Sequence, residues 1–289
     1  MMRNAIIIIL LLVPFFTEAQ SKKKVSYAKG TVFGFWGYNR TGYTKSNMRF
    51  VGAGYDFTMQ GAKAHDNPEK FSFGSYFNVK NITIPQFNAR VGYYFKDHWA
   101  LSIGYDHMKY IFKDGNKVKL SGTINPGIDT VTNLSGTYSG ADITTSTETF
   151  HYENSDGLNY LRVELTRTDQ WLKFGQKDWF AVSTNLGLSA GGLLTFNDFT
   201  FAGQKDVRTI SMSGYGLSLH TGLRLEFFRH VFLQSGLNGG LHHVLKAKNR
   251  PNDPTAYTRH AYGYFEFNTV LGFFFYLRGK NACDSCPTW

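Results

Sequence analysis

An apolar run long enough to carry a helix across a bilayer, ~18 to 20 residues, is missing from everything after the first stretch of this 289-residue chain. The best candidate, Val270 to Leu277, contains Gly272 and is flanked by Arg278 and Lys280. Without a spanning helix, a chain is either soluble or crosses with strands that close on themselves, since no other backbone satisfies its polar groups in lipid. Charge is scarce as well. Asp, Glu, Lys and Arg make up 18% of the chain, against ~25% in an ordinary soluble domain, which argues against the soluble branch. Two cysteines are too few for a disulfide-built scaffold, and seven prolines leave long segments free to join a hydrogen-bonded ladder.

What is present begins with an export signal. Arg3 precedes the apolar run Ala5 to Val13, and small residues stand at Thr17 and Ala19 just before Gln20. Basic start, short apolar core and small-residue exit are the parts of a secretory signal peptide, here residues 1–19. No cysteine follows the apolar core, so a lipoprotein anchor has no residue to use. Residues 20–289 then form one domain.

Aromatics reach 17%, with 26 Phe, 17 Tyr and 5 Trp beside 30 Gly. A soluble protein must hide that many rings, whereas a barrel can set them against lipid and at both interfaces. The formal charge of +10 suits an anionic lipid or lipopolysaccharide surface. The chain has no helix-turn-helix, zinc-finger or RNA-binding aromatic pattern, which excludes nucleic acid as the expected partner.

Period-two alternation marks the strands. From His260 to Leu277 one row reads Ala261, Gly263, Phe265, Phe267, Thr269, Leu271, Phe273, Phe275 and Leu277, and the other includes Glu266 and Asn268. Similar rows run through Phe87–Phe95, Trp99–Asp106, Tyr160–Thr166, Phe180–Ser189, Tyr215–Phe227 and Val231–His242. At the front, Thr31, Phe33 and Phe35 alternate with Val32, Gly34, Trp36 and Tyr38, where both rows are partly apolar. These eight segments predict an all-β, closed antiparallel up-and-down transmembrane barrel. Short turns at 96–98, 169–178 and 228–230 alternate with long outer loops near 42–84, 112–156, 192–210 and 248–258, leaving a periplasmic tail at 279–289. The segment 47–60, with Phe50, Tyr55, Phe57 and Met59, is either an extra strand above the membrane or, with 71–77, part of a ten-stranded alternative.

The inward rows carry Arg90, Asp106, Arg162, Glu164, His220, Arg224, Glu226 and Glu266. Charges of both signs in a low-dielectric interior must pair, so a plugged polar lumen of ion pairs and hydrogen bonds is expected, with no large channel. For catalysis, the candidates at the outer rim are His107, His151, Ser155 and Asp156, which hold the residue types of a serine hydrolase. Their dull reading is a polar turn at 154–157 with interfacial histidines. His242, His243 and His260 are imidazoles of the type that metals use, but neighbours His242 and His243 point to opposite faces, so no metal or other cofactor is expected. Cys283 and Cys286, in an oxidising compartment, suit a small local disulfide. The Ser- and Thr-rich stretch 121–149 reads as an exposed loop or hairpin.

Arg90-Val91-Gly92-Tyr93-Tyr94-Phe95 followed by a tight turn into Trp99-Ala100-Leu101-Ser102-Ile103-Gly104-Tyr105, with the Ala19-Gln20 exit, resembles the small outer-membrane barrels of Bacteroidota. Gly37-Tyr38-Asn39-Arg40, Tyr55-Asp56-Phe57 and Ser155-Asp156-Gly157-Leu158-Asn159-Tyr160 look like one uncharacterised branch of that group. The resemblance implies an outer-membrane location and handling by the barrel-assembly machinery. Lipid A deacylase barrels are similar in size, but their His-x-Ser spacing is absent at His151 and Ser155, so no catalytic residue is carried over. The expected role is non-enzymatic: envelope integrity, or loops offered to a surface or periplasmic partner. A lipid-modifying enzyme and a narrow solute pore are the alternatives.

Overall fold

The computed structural model describes residues 27–70, 72–76, 85–132, 134–175 and 179–277. The signal segment 1–19, the tail 279–289 and Cys283 and Cys286 lie outside the described residues.

Strands form wherever the chain alternates. In order they are β1 (Thr31–Tyr43), β2 (Ser46–Gly52), β3 (Tyr55–Ala62), the two-residue β4 (Ala64–His65), β5 (Phe87–Lys96), β6 (Trp99–Phe112), β7 (Lys117–Ile124), β8 (Gly136–Thr144), β9 (His151–Phe174), β10 (Phe180–Phe201), β11 (Gln204–Phe227), β12 (Val231–Lys248) and β13 (Tyr257–Tyr276). One helical turn, α1 (Phe73–Tyr76), interrupts them. Every pairing is antiparallel. The ladder runs β1-β5-β6-β9-β10-β11-β12-β13 and returns to β1, where Thr31 lies opposite Tyr276 and Tyr43 opposite Tyr264.

The two faces follow the rows read from the sequence. On β13, Phe265, Phe267, Leu271, Phe273 and Phe275 are exposed, while Tyr262, Tyr264, Glu266, Asn268, Val270 and Phe274 are buried. On β11, Leu217, Leu219 and Leu223 turn out and Ser218, His220, Arg224 and Glu226 turn in. In β1, where both rows are partly apolar, periodicity alone does not choose a face. Packing does: Thr31 and Phe33 are buried, and Phe35 meets Phe232 on the inside.

Among the described residues, the stretches near 42–84, 112–156 and 192–210 are mostly strand rather than loop. β9, β10 and β11 run 24, 22 and 24 residues, about twice the 9 to 11 residues that a bilayer requires. β10 turns into β11 over only Ala202 and Gly203, both at positive φ (56° and 77°). The extra length is stabilised by further strands of the same sheet. β2 pairs with the far end of β13 (Val51 opposite Tyr257), then β3, β7 and β8 follow in turn. The segment 121–149 thus holds much of the β7–β8 hairpin. Likewise, β9 continues through Trp171 to Phe174, shortening the 169–178 turn.

These outer strands enclose an apolar core. Met48, Phe50, Phe57, Met59, Met108, Phe112, Phe150, Tyr152, Phe199 and Phe201 are all at most 1% exposed and form one cluster. Phe50 sits at its centre, stacked on Phe57 (5.4 Å) and Phe199 (5.2 Å) and edge-on to Phe150 (5.1 Å). Burying rings of this size contributes about 1.5 to 3 kcal/mol of transfer free energy each, which offsets the cost of ordering these outer strands.

Candidate functional site

Inside the ring, the predicted lumen residues come together in layers. The charged layer is a four-membered cluster. Arg90 bridges to Asp106 (2.6 Å) and Glu164 (3.3 Å), and Arg162 bridges to the same two carboxylates (both 3.1 Å). Register explains the meeting: Arg90 lies opposite Gly104 and Ser102 opposite Glu164, so adjacent β5, β6 and β9 project these groups at one height. Gly104 leaves room for the Arg90 guanidinium, which would lie 2.5 Å from a Cβ at that position. His220 approaches Glu164 (3.5 Å) and shares Thr166 with it. Glu266 accepts hydrogen bonds from Asn88 (3.1 Å), Asn238 and Asn268 (3.1 Å). Two guanidinium and two carboxylate groups leave the central cluster neutral, the condition under which a buried pair is tolerated.

Arg224 departs from the expected pairing. Its guanidinium stands 4.2 Å over the Phe232 ring, with Phe274 (5.4 Å) and Phe33 (5.7 Å) around it, and it donates to Gln234 (3.0 Å) and the Tyr94 hydroxyl (3.2 Å). Aromatic faces and neutral acceptors hold this cation. Nearby Glu226 accepts from Ser183 at 2.6 Å.

The outer-rim candidates do not assemble into a hydrolase. His107 is held by Asn159 through Nδ1 (2.8 Å) and stacks against Phe87. On β9, His151 donates to Glu153 (2.9 Å), and the Ser155 hydroxyl donates to the other oxygen of the same carboxylate (2.7 Å). A triad needs the imidazole between hydroxyl and carboxylate; here the carboxylate occupies the middle, so no base receives the serine proton. Asp156 pairs with Arg208 (2.6 Å), which also grips Asp198. The histidines also part company. His243 turns outward to the Tyr215 hydroxyl (3.2 Å), while His242 and His260 are buried, both packed against Tyr262.

At the far end, four connections meet around a cleft of about 640 Å³. Ala53 comes from the β2–β3 turn, Ile128 from the β7–β8 connection, Ala202 from the β10–β11 turn, and Arg250 to Asp253 from the β12–β13 connection. Tyr55 and Arg250 form its buried polar part. The Tyr55 hydroxyl is buried without a hydrogen-bond partner, and burial raises its pKa. Arg250 donates to the carbonyls of Phe199 (3.4 Å), Phe201 (3.0 Å) and Asn249 (3.2 Å) and lies 4.5 Å over the Phe199 ring. Removal from water lowers its pKa from the usual arginine value. An apolar cleft with a few fixed polar groups is the ordinary form of a small-ligand site.

No family model and no curated protein matches the sequence. Solved structures do. The outer membrane protein OprG from Pseudomonas aeruginosa is 11% identical over 87% of this chain and 99% of its own, with a TM-score of 0.37. The outer membrane protease OmpT from Escherichia coli is 9% identical over 88% and 100%, at 0.36. The N-terminal β-barrel domain of Pseudomonas aeruginosa OprF is 10% identical over 86% and 98%, at 0.32.

Sequence reasoning missed the cleft altogether. Arg250, Ala202 and Ile128 stand in three separate connections, and no local pattern announces that those connections converge. The outer core left a partial signal in the alternation of Phe50, Tyr55, Phe57 and Met59, but Phe150, Phe199 and Phe201 carry none that separates them from lipid-facing rings.

Proposed function

We propose that the chain is an integral outer-membrane protein in which β1, β5, β6 and β9 to β13 form a closed eight-stranded barrel across the bilayer. Its lumen does not conduct, and its role is to hold the outer sheet and the terminal cleft at the cell surface for envelope integrity or for binding a surface ligand. Catalysis on lipid is the disfavoured alternative, given the Ser155–Glu153–His151 order.

One observation supports this reading: large inward-facing side chains are packed in successive layers. Arg224 and its aromatic cage, the Arg90–Asp106–Arg162–Glu164 cluster and the outer aromatic core follow one another along the inside of the strands. An eight-stranded barrel is narrow enough for side chains to fill. Supporting the membrane placement, the exposed apolar row of β13 spans Phe265 to Leu277, which at ~3.3 Å per residue and ~45° tilt covers roughly 28 Å, close to the height of an outer-membrane apolar band. The sequence resemblance to Bacteroidota barrels and the signal segment point the same way, and imply lipopolysaccharide and the barrel-assembly machinery as partners.

Purified protein inserted in a planar bilayer should give no steady single-channel current. Large, stable conductance steps would overturn the plugged-lumen reading.

A further inference from the structure

A second pocket, of about 560 Å³, opens where β1, β4 and the β6–β7 turn approach one another, and its lining includes Lys45, Lys63, Lys113, His65 and the carboxylate of Asp114. The lysines are placed by backbone bonds. Thr44 and Gly263 exchange hydrogen bonds (both 2.9 Å), fixing Lys45 against β13. Lys113 N–H donates to the Lys63 carbonyl (2.9 Å), and the buried Asn116 amide clamps Lys63 from both sides, donating to its carbonyl (2.8 Å) and accepting from its N–H (3.3 Å). Of the nearby acids, Glu69 bridges to Lys109 (3.1 Å), and Asp114, on the pocket wall, accepts the Thr147 N–H (2.8 Å). Lys45, Lys63 and Lys113 make no ion pair with any of the described residues.

Three lysines against the single carboxylate of Asp114 give the pocket an excess of positive charge, which favours an anionic ligand. Height identifies it. Tyr43 lies opposite Tyr264, next to Phe265, where the exposed apolar row of β13 ends. Lys45 therefore stands just beyond the apolar band, at the level where headgroup phosphates of the outer leaflet lie. We infer that this pocket binds a phosphate group, in the first place the phosphorylated sugar headgroup of an outer-leaflet glycolipid. The inference rests on the membrane placement proposed above and adds to it a defined site.

The test places the full-length mature protein in phosphatidylcholine nanodiscs that hold a minor share of a bis-phosphorylated glucosamine-disaccharide lipid or its dephosphorylated counterpart. Retained lipid is read by native mass spectrometry after release. The wild type should retain the phosphorylated lipid about tenfold better, since each basic side chain near an anionic surface strengthens binding severalfold. The triple variant Lys45→Gln, Lys63→Gln, Lys113→Gln should reduce that preference to less than about twofold, while the matching Lys→Arg triple keeps it. Gln substitutions at Lys117, Lys119 and Lys205, which do not line the pocket, should leave the preference intact. Inorganic phosphate forms the second arm. If it binds the wild type in a lysine-dependent way while both lipids are retained alike, the site takes free phosphate; if the lipid preference persists in its presence, the headgroup is the ligand. Equal retention of the two lipids together with no phosphate binding, or a triple Gln variant that matches the wild type, overturns the site. A heat-dependent shift in gel mobility reports barrel insertion separately, so a failure of the membrane reading is distinguishable from a failure of the phosphate site.

Discussion

The two halves of the molecule are built from the same strands with opposite interiors. In the inner half, β9 faces Leu161 and Val163 outward and Arg162 and Glu164 inward. Further along the same strand, the inward positions hold Tyr152 and Leu158. β6 repeats the change, from Ser102 and Asp106 to Met108, Tyr110 and Phe112, and so does β13, from Asn268 and Glu266 to Tyr264 and Tyr262. The face that points inward is unchanged while its chemistry reverses. In the membrane placement proposed above, lipid surrounds the inner half, so polar groups go inside and pair, whereas the outer half stands in water and buries its rings, as any soluble domain does. Three of the register shifts fall at the junction: Met108/Tyr110 on β6, Leu193/Leu194 on β10 and Val244/Ala247 on β12. A bulge lets a strand re-aim its side chains where the packing problem changes.

The sharpest break should come from the charged layer. Arg162→Leu strands Asp106 and Glu164 with one cation between them and should cost about 3 to 5 kcal/mol, read as a lower urea midpoint in vesicles. Arg162→Leu combined with Asp106→Leu should cost less than the single change, because it restores neutrality. A double variant weaker than the single one would contradict the ion-pair account.

Phe50→Ala should remove about 3 to 4 kcal/mol from the outer core. If the halves are separately supported, hydrogen exchange should rise in β2, β3, β7 and the outer ends of β9 and β10 while the lipid-facing sections stay protected. Uniform loss of protection would show that the halves fold as one unit.

Charge on the outward row should sharpen the boundary. Leu271→Arg, in the middle of the exposed run of β13, should destabilise by about 2 to 4 kcal/mol. Ala261→Arg, on the same row beyond Phe265, should cost no more than about 1 kcal/mol. Equal costs would put the membrane boundary elsewhere.

The smallest effect is expected at the exposed Arg49–Asp56 pair (2.6 Å) on the outer sheet. Asp56→Asn should cost about 0.2 to 1 kcal/mol, and less in high salt. The hydrogen bond from Arg49 holds the Asp56 carboxyl below its ordinary pKa. Its contribution is therefore complete above the usual carboxylate range and is lost as pH falls through the lowered value. Thermal melts of wild type and D56N should converge at acid pH and separate near neutrality.

Much of the inner half was legible because period-two alternation is a local property. The rows on β13, β12 and β11 could be read residue by residue, and so could the inward acids and arginines. The front strand was less legible, since apolar side chains stand on both rows and only contact with Tyr94 and Arg224 decides that Phe33 turns in. Arg224 itself was legible as inward, but its aromatic cage was not, because Phe33, Phe232 and Phe274 come from three strands distant in sequence. The outer candidates misled for a similar reason. His, Ser and acid at 151–156 satisfy a composition test for a triad, yet alternation on one face sets Glu153 between the other two.

By itself, then, the sequence determined an all-β chain whose strands alternate between apolar and polar rows, because side-chain direction along an extended backbone reverses at every residue. Tertiary structure alone decided where that alternation leaves an apolar row exposed and where it encloses a protein core, which cations find carboxylates and which find rings, and which connections close around the terminal cleft and the lysine pocket. Those outcomes depend on register between strands and on the height of each side chain along the ring, and neither quantity is contained in any single segment.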